Sequence, residues 1–307
     1  MKGLVLCDEN IFVGLIYVLG ACLLWALDTL FRYPLISAGI EATHLVFLEH
    51  VFLVVYALWI LFDLKEKIFK ISLGDYLLFI FIGVMGSAVG TVAFTKAFAL
   101  VNPSHVILLQ KLQPLVAVTL AYFFLREPVT KIFLAWASLG LVGAILVSYR
   151  DILGPGLFSI KASSETLMGY GLTLAAVAIW GSCTVAGKKL SSSGYSHREL
   201  VAFRFLFGFL GATAFLPKTT AGVFPWDLVV WGKIFIMALL SGAIALNLYY
   251  RGLKTLSARA CAIAEMFFPL CAIIINWVFL DKTLDEWQLL GGGFLVVSST
   301  VIQLKRY

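Results

Sequence analysis

Five charged side chains fall inside long apolar runs of this sequence, namely Asp28, Glu49, Lys111, Arg204 and Glu265, and the titratable His50 stands beside Glu49. A charge near the centre of a bilayer costs about 2.5 kcal/mol or more, so groups kept there face a bundle interior or a watered cavity. Their mixed signs suit a solute that carries both: Asp28, Glu49 and Glu265 could meet an ammonium group, and Lys111 and Arg204 a carboxylate. Carboxylates shielded from water inside a bundle also exchange protons during transport, which marks Asp28 and Glu49 as candidate proton carriers with His50 adjacent. Taken singly, each group could instead satisfy a neighbour and fix helix packing. As a set with no enzyme motif, they point to a cavity.

Neutral candidates lie at similar depth. Gln110 and Asn247 could hydrogen-bond a solute, and Trp25, Trp180 or Tyr250 could stack on a ring or a cation, although core packing is the favoured account of the tryptophans. Pro114 and Pro269 should kink their helices and free carbonyls that only protein or cavity water can satisfy. No serine, cysteine or histidine triad, HExxH, P-loop or dinucleotide fingerprint occurs, so no catalytic residue, cofactor or metal is expected. The glycines Gly83, Gly86 and Gly90 read as places of close helix approach.

The elements that must position these groups are apolar runs of about 18–25 residues, each long enough to span about 30 Å of hydrocarbon as a helix. The chain is 61% hydrophobic and 13% charged, which excludes an ordinary soluble domain. Its net charge of +6 reflects basic residues clustered between apolar runs and implies no nucleic acid. Ten runs are expected, the first five near 11–31, 45–62, 76–99, 106–125 and 132–148, the second five near 168–187, 200–216, 228–250, 258–280 and 287–304.

Sliding the chain on itself by 155 positions superposes Trp25 on Trp180, Gly39 on Gly194, Glu49 on Arg204, Gln110 on Glu265 and Pro114 on Pro269. The chain is therefore expected to be an all-α membrane protein with ten transmembrane helices in two five-helix repeats, 1–149 and 168–307, joined by 150–167. Five is odd, so the second repeat enters the membrane from the opposite side, an inverted repeat of the kind that places a site near the midplane. With the N-terminus inside, 14 basic residues fall on the cytoplasmic side against 6 outside, Arg32 among the latter, which favours both termini in the cytoplasm. The shift also aligns acids with bases on equivalent helices, which predicts two ion pairs, Glu49 with Lys111 and Arg204 with Glu265.

Several stretches resemble the drug/metabolite transporter superfamily, in particular its EamA-type ten-helix members. The resemblance rests on Trp180-Gly181-Ser182, Arg204, the run from Pro114 to Leu125-Arg126-Glu127, and the parallel Pro269 to Phe279-Leu280, and it covers nearly the whole chain. Glu49-His50 stands where that family usually has an arginine, and Lys282 where it usually has a glutamate. The resemblance implies a secondary transporter working by alternating access in a bacterial inner membrane, as a monomer or homodimer. Small polar metabolites are the expected solutes, amino acids or related zwitterions first and their export favoured. A nucleotide-like or cationic solute is the alternative, and an intramembrane enzyme or lipid-handling protein the reading from another class.

Overall fold

Inside hydrocarbon every backbone N–H and C=O needs an internal partner, which an apolar run supplies by coiling into a helix. The computed structural model describes residues 2–63, 71–125, 129–152, 162–216, 227–255, 264–265 and 267–304, and among them all regular structure is helical. In the first half, α1 covers Lys2–Ser37, α2 Ala42–Asp63, α3 Leu73–Phe81, α4 Gly90–Leu100, α5 Pro103–Leu109, α6 Gln113–Leu125 and α7 Lys131–Ile152. In the second half, α8 covers Ser164–Ser192, α9 His197–Ala214, α10 Leu228–Met237, α11 Ala245–Thr255, α12 Phe267–Leu280 and α13 Glu286–Leu304.

Some of these run on without a break. A π-helical segment, Ile82–Val89, joins α3 to α4; a second, Ala238–Ile244, joins α10 to α11; and a 3-10 turn, Gln110–Leu112, joins α5 to α6 just ahead of Pro114. Pro269 lies in the first turn of α12, and residue 266 before that helix is outside the described residues. Six continuous helices among the described residues are long and apolar enough to cross a membrane, Phe12–Ser37, Ala42–Asp63, Leu73–Leu100, Lys131–Ile152, Ser164–Gly187 and Leu228–Tyr249, with Phe267–Leu280 shorter but apolar.

Local chemistry sets the ends. Asn102 caps α5 through Ser104 N–H with Pro103 at the first helical position, and Ser196 and Glu199 form a capping box at α9. The helices α1 and α8 both stop where a glycine turns the chain left-handed, Gly39 at φ 93° and Gly194 at φ 95°. Two boundaries differ from the sequence expectation. The first span continues beyond Phe31 and through Pro34 to Ser37, which turns Arg32 from a flanking charge into a helix-interior one. Helices also take both ends of the expected linker, since α7 reaches Ile152 and α8 begins at Ser164.

The two halves interlock reciprocally. The helix α1 packs on α11 and α12, while α8, its counterpart 155 residues on, packs on α4 and α6; α2 meets α9, and α7 meets α13. Backbones come closest between α7 and α13, where a Cβ on Gly143 would stand 2.6 Å from Gly291 O. Each half therefore supplies walls for the other, and polar groups of α1 meet both its own repeat and the opposite one.

Candidate functional site

The longer α1 carries Asp28 and Arg32 one turn apart, a spacing that lets the two side chains meet on one helix face. Arg32 Nε donates to Asp28 Oδ2 at 2.6 Å and Nη2 to Asp28 Oδ1 at 3.1 Å. The same Nη2 reaches both oxygens of Glu49 on α2 at 3.2 Å, and Nη1 donates to Thr95 Oγ1 on α4 at 3.0 Å. Arg32 and Glu49 are only 4% and 5% exposed, so this is a sealed cluster of two carboxylates around one guanidinium. Ser241, in the second π segment, donates to Asp28 Oδ1 at 2.8 Å and ties the cluster to the other repeat.

A second cluster lies beyond Trp25. The indole Nε1 of Trp25 donates to Ser241 O at 3.0 Å, and its ring lies 5.5 Å from that of Tyr249. The Tyr249 hydroxyl donates to Glu265 Oε1 at 2.6 Å. Glu265 is within electrostatic reach of Lys111 on the 3-10 turn, and both act on Cys22 of α1. The Lys111 ammonium stands 5.1 Å from the Phe268 ring centroid. Beside it Gln110 Oε1 is buried with no hydrogen-bond partner. An acid, a base and the aromatic rings of Trp25, Tyr249 and Phe268 therefore come together between α1, the 3-10 turn, α11 and α12.

The ion pairs expected from the repeat do not form. Glu49 pairs with Arg32, because α1 continues far enough to bring the guanidinium between α1 and α2, and Lys111 turns to Glu265 across the repeat boundary. Arg204 is left with a buried Nε that has no hydrogen-bond partner; His50 and Cys183 are the groups its charge acts on. His50 is 2% exposed and bridges Val46 O and Ser87 Oγ at 2.8 and 2.9 Å, which makes it a tie between α2 and the first π segment. Asn247 joins Tyr56 OH at 2.6 Å and Ala243 O at 2.8 Å, away from the second cluster. Trp180 donates to Gly86 O at 2.7 Å and packs on Phe94 at 5.0 Å. Tyr250 lies on α11 with its side chain outside the described residues.

Sequence reasoning missed Arg32, Thr95, Ser241, Tyr249 and Phe268. The i, i+4 spacing of Asp28 and Arg32 was the available signal for the first of these. A further polar knot, also missed, joins His105 Nδ1 to Asp151 at 3.2 Å and to Tyr170 OH at 2.9 Å. It borders a basin of about 590 Å³ whose lining includes Tyr33, Asn102, Arg150, Asp151 and Lys282.

Comparison with known proteins agrees with this two-part layout. The description "EamA-like transporter family" matches the chain twice, over residues 12–149 and 167–304. The riboflavin transporter ImpX of Fusobacterium nucleatum subsp. nucleatum is 29% identical over 302 residues, 94% of this chain and 97% of that protein. The uncharacterized transporter YetK of Bacillus subtilis (strain 168) is 28% identical over 203 residues, 63% of this chain and 58% of that protein. A protein of known crystal structure shares the fold at a TM-score of 0.59, with 18% identity and 96% of both chains covered.

Proposed function

The chain belongs to the EamA-like transporter family, and on that premise we propose that it carries a ring-bearing polar metabolite across the membrane by alternating access. Transport in place of catalysis is common to that family and to the relatives named above. The observation that carries the solute class is the aromatic pair Trp25 and Tyr249 beside Glu265 and Lys111, with the buried, unpartnered oxygen of Gln110 on the residue next to Lys111. A planar heterocycle with amide-like edges satisfies these groups together: rings meet the aromatic faces, and polar edges meet the acid, the base and the amide. The similarity to a riboflavin transporter over nearly the full length supports a flavin-like solute.

The amino-acid reading drew on five gathered charges. Three of its members are placed elsewhere, since Asp28 and Glu49 are engaged by Arg32, and Arg204 lies near His50 and Cys183. The opposite charges of Lys111 and Glu265 keep a zwitterion as the rival solute. Our reading further places ten spans in two inverted five-helix repeats in a bacterial inner membrane, with both termini cytoplasmic and export as the direction. The basic-residue asymmetry supports the cytoplasmic termini, and the reciprocal packing of α1 and α8 supports the inverted repeats.

A ligand bound to the folded state at about 100 times its Kd stabilises it by about 2.7 kcal/mol, which a thermal-shift assay detects. Purified protein should be stabilised by riboflavin, and the shift should disappear in Tyr249→Ala and Glu265→Gln. Stabilisation by amino acids with none by riboflavin would overturn the ring-bearing solute and favour the zwitterion.

A further inference from the structure

The Asp28–Arg32–Glu49 cluster holds two carboxylates against one guanidinium, which leaves one negative charge sealed between α1, α2 and α4. The charged and titratable groups around it do not cancel that excess. His50 of α2 feels Arg32 but is taken up by Val46 O and Ser87, and Arg204 of α9 reaches His50 and pairs with neither carboxylate. From the other packed elements, Lys96 of α4, Lys233 of α10 and Arg251 of α11 are all exposed. A buried charge without a counter-charge is expensive, and a proton is the smallest species that removes it.

The two carboxylates are not held alike. Asp28 takes the short bond at 2.6 Å and a Ser241 hydroxyl, whereas Glu49 has only two contacts at 3.2 Å, both from the same nitrogen. Ser241 itself has one hydroxyl proton and two acceptors at equal distance, Asp28 Oδ1 and Met237 O, both at 2.8 Å. Its carbonyl is held by Trp25, whose ring lies on Tyr249 of the solute site. The symmetry-related position has none of this. Moving by 155 residues replaces Asp28 by Cys183, Arg32 by Gly187, Glu49 by Arg204 and Ser241 by Gly86.

We propose that Glu49 is the proton carrier of this transporter and that Ser241 transmits its state to the hinge of the second repeat. One proton added to a Glu49 carboxylate oxygen makes the cluster neutral. The guanidinium charge then falls on Asp28 alone, Asp28 no longer needs the Ser241 hydroxyl, and that hydroxyl turns to Met237 O. The helix α1 thereby loosens one of its two holds on the segment Ala238–Ile244, and the Trp25 hold remains. Loss of the proton reverses each step. The segment Ile82–Val89, with Gly86 in place of the serine, has no such link to Glu49, so the Glu49 proton acts on the segment of the second repeat.

Infrared difference spectra of purified protein between acidic and alkaline buffer read the proton without any solute. Wild type should show a protonated-carboxyl band that is absent in Glu49→Gln, displaced in frequency in Glu49→Asp and retained in Ser241→Ala; in Asp28→Asn, which removes the excess negative charge, it should appear only at more acidic pH. Absence of the band in wild type, or its persistence in Glu49→Gln, overturns the assignment even if the solute reading holds. The transport arm rests on the reading above and uses riboflavin in liposomes with the membrane potential clamped. A pH difference of about one unit supports about tenfold accumulation in one-for-one exchange. The ratio of accumulation with and without the gradient cancels differences in active protein; it should fall to about one in Glu49→Gln and drop in Ser241→Ala. Wild-type counterflow indifferent to the gradient overturns coupling, whereas absence of any riboflavin flux overturns the solute and leaves the infrared result to decide the proton site.

Discussion

The two π segments share a backbone device and differ in chemistry. In one, Trp25 donates to Ser241 O and lies on Tyr249; in the other, Trp180 donates to Gly86 O and lies on Phe94, and every partner is displaced by 155 residues. A π turn carries a main-chain oxygen that its own helix does not satisfy, and each repeat meets that need with an indole from the opposite repeat. Beside the first of these contacts stands the serine bonded to Asp28; beside the second, a Cβ on Gly86 would be 2.8 Å from Cys183 Sγ. Duplication therefore preserved what the backbone requires in both halves. The carboxylate–guanidinium cluster stands beside one of the two π segments, so the two halves share a backbone device and differ in the charge placed next to it.

The largest expected difference concerns the two arginines. Removing one partner of a buried pair costs about 3–5 kcal/mol by leaving the other charge uncompensated. Arg32→Ala leaves both Asp28 and Glu49 stranded and should reach that range, seen as loss of monodisperse protein and a collapse of the thermal midpoint in detergent. Arg204→Ala strands no carboxylate and should cost well under half as much. Equal losses would mean that the charge asymmetry has no bearing on stability.

Next in size is a change at the first π segment. Gly83 corresponds to Ala238, which is already buried in the second. A Cβ at Gly83 would collide with the Phe207 side chain and stand 3.1 Å from Arg204 O, so Gly83→Ala should overpack α9. The expected cost is about 1–3 kcal/mol, read as a lowered thermal midpoint. A neutral result would show that α9 can withdraw, and that the two segments are closer to interchangeable than their packing suggests.

Much of this architecture was legible because helix-forming and close-packing needs repeat with the duplication. Trp25 and Trp180, and Gly39 and Gly194, align by sequence and do the same work in space. The charge network was less legible. The first run was expected to end near residue 31, yet α1 continues through Pro34 to Ser37, so an arginine counted as a topological flank becomes the centre of the cluster. Pairing acids and bases by repeat also failed for a physical reason. Ion pairs form between whichever side chains packing brings together, and Arg32 reaches Glu49 of α2 before any other base can. The interlocking of the repeats brings Lys111 to Glu265 and not to Glu49. Tyr249 and Ser241 carry no signal of their own, being ordinary residues until the fold sets Ser241 against Asp28 and Tyr249 against Glu265.

The smallest expected effect tests the shared half of the comparison. Trp25→Phe and Trp180→Phe each keep an aromatic ring and remove one indole N–H, from bonds of 3.0 and 2.7 Å to Ser241 O and Gly86 O. A net hydrogen bond is worth about 0.5–1.5 kcal/mol, so each variant should lose stability in that range and by nearly the same amount. The two indoles share no partner, and losses at independent sites add to within about 0.3–0.5 kcal/mol, so the double variant should lose close to the sum. Denaturant titration in detergent measures all three. Equal, additive losses would establish that the π carbonyls are satisfied separately by each repeat. A much larger loss at Trp25 would mean that this indole also steadies the Asp28–Ser241 contact, because Ser241 is held by α1 through both its hydroxyl and its carbonyl. The comparison would then have to be redrawn, with the charged cluster and the backbone device forming one unit in one repeat and remaining apart in the other.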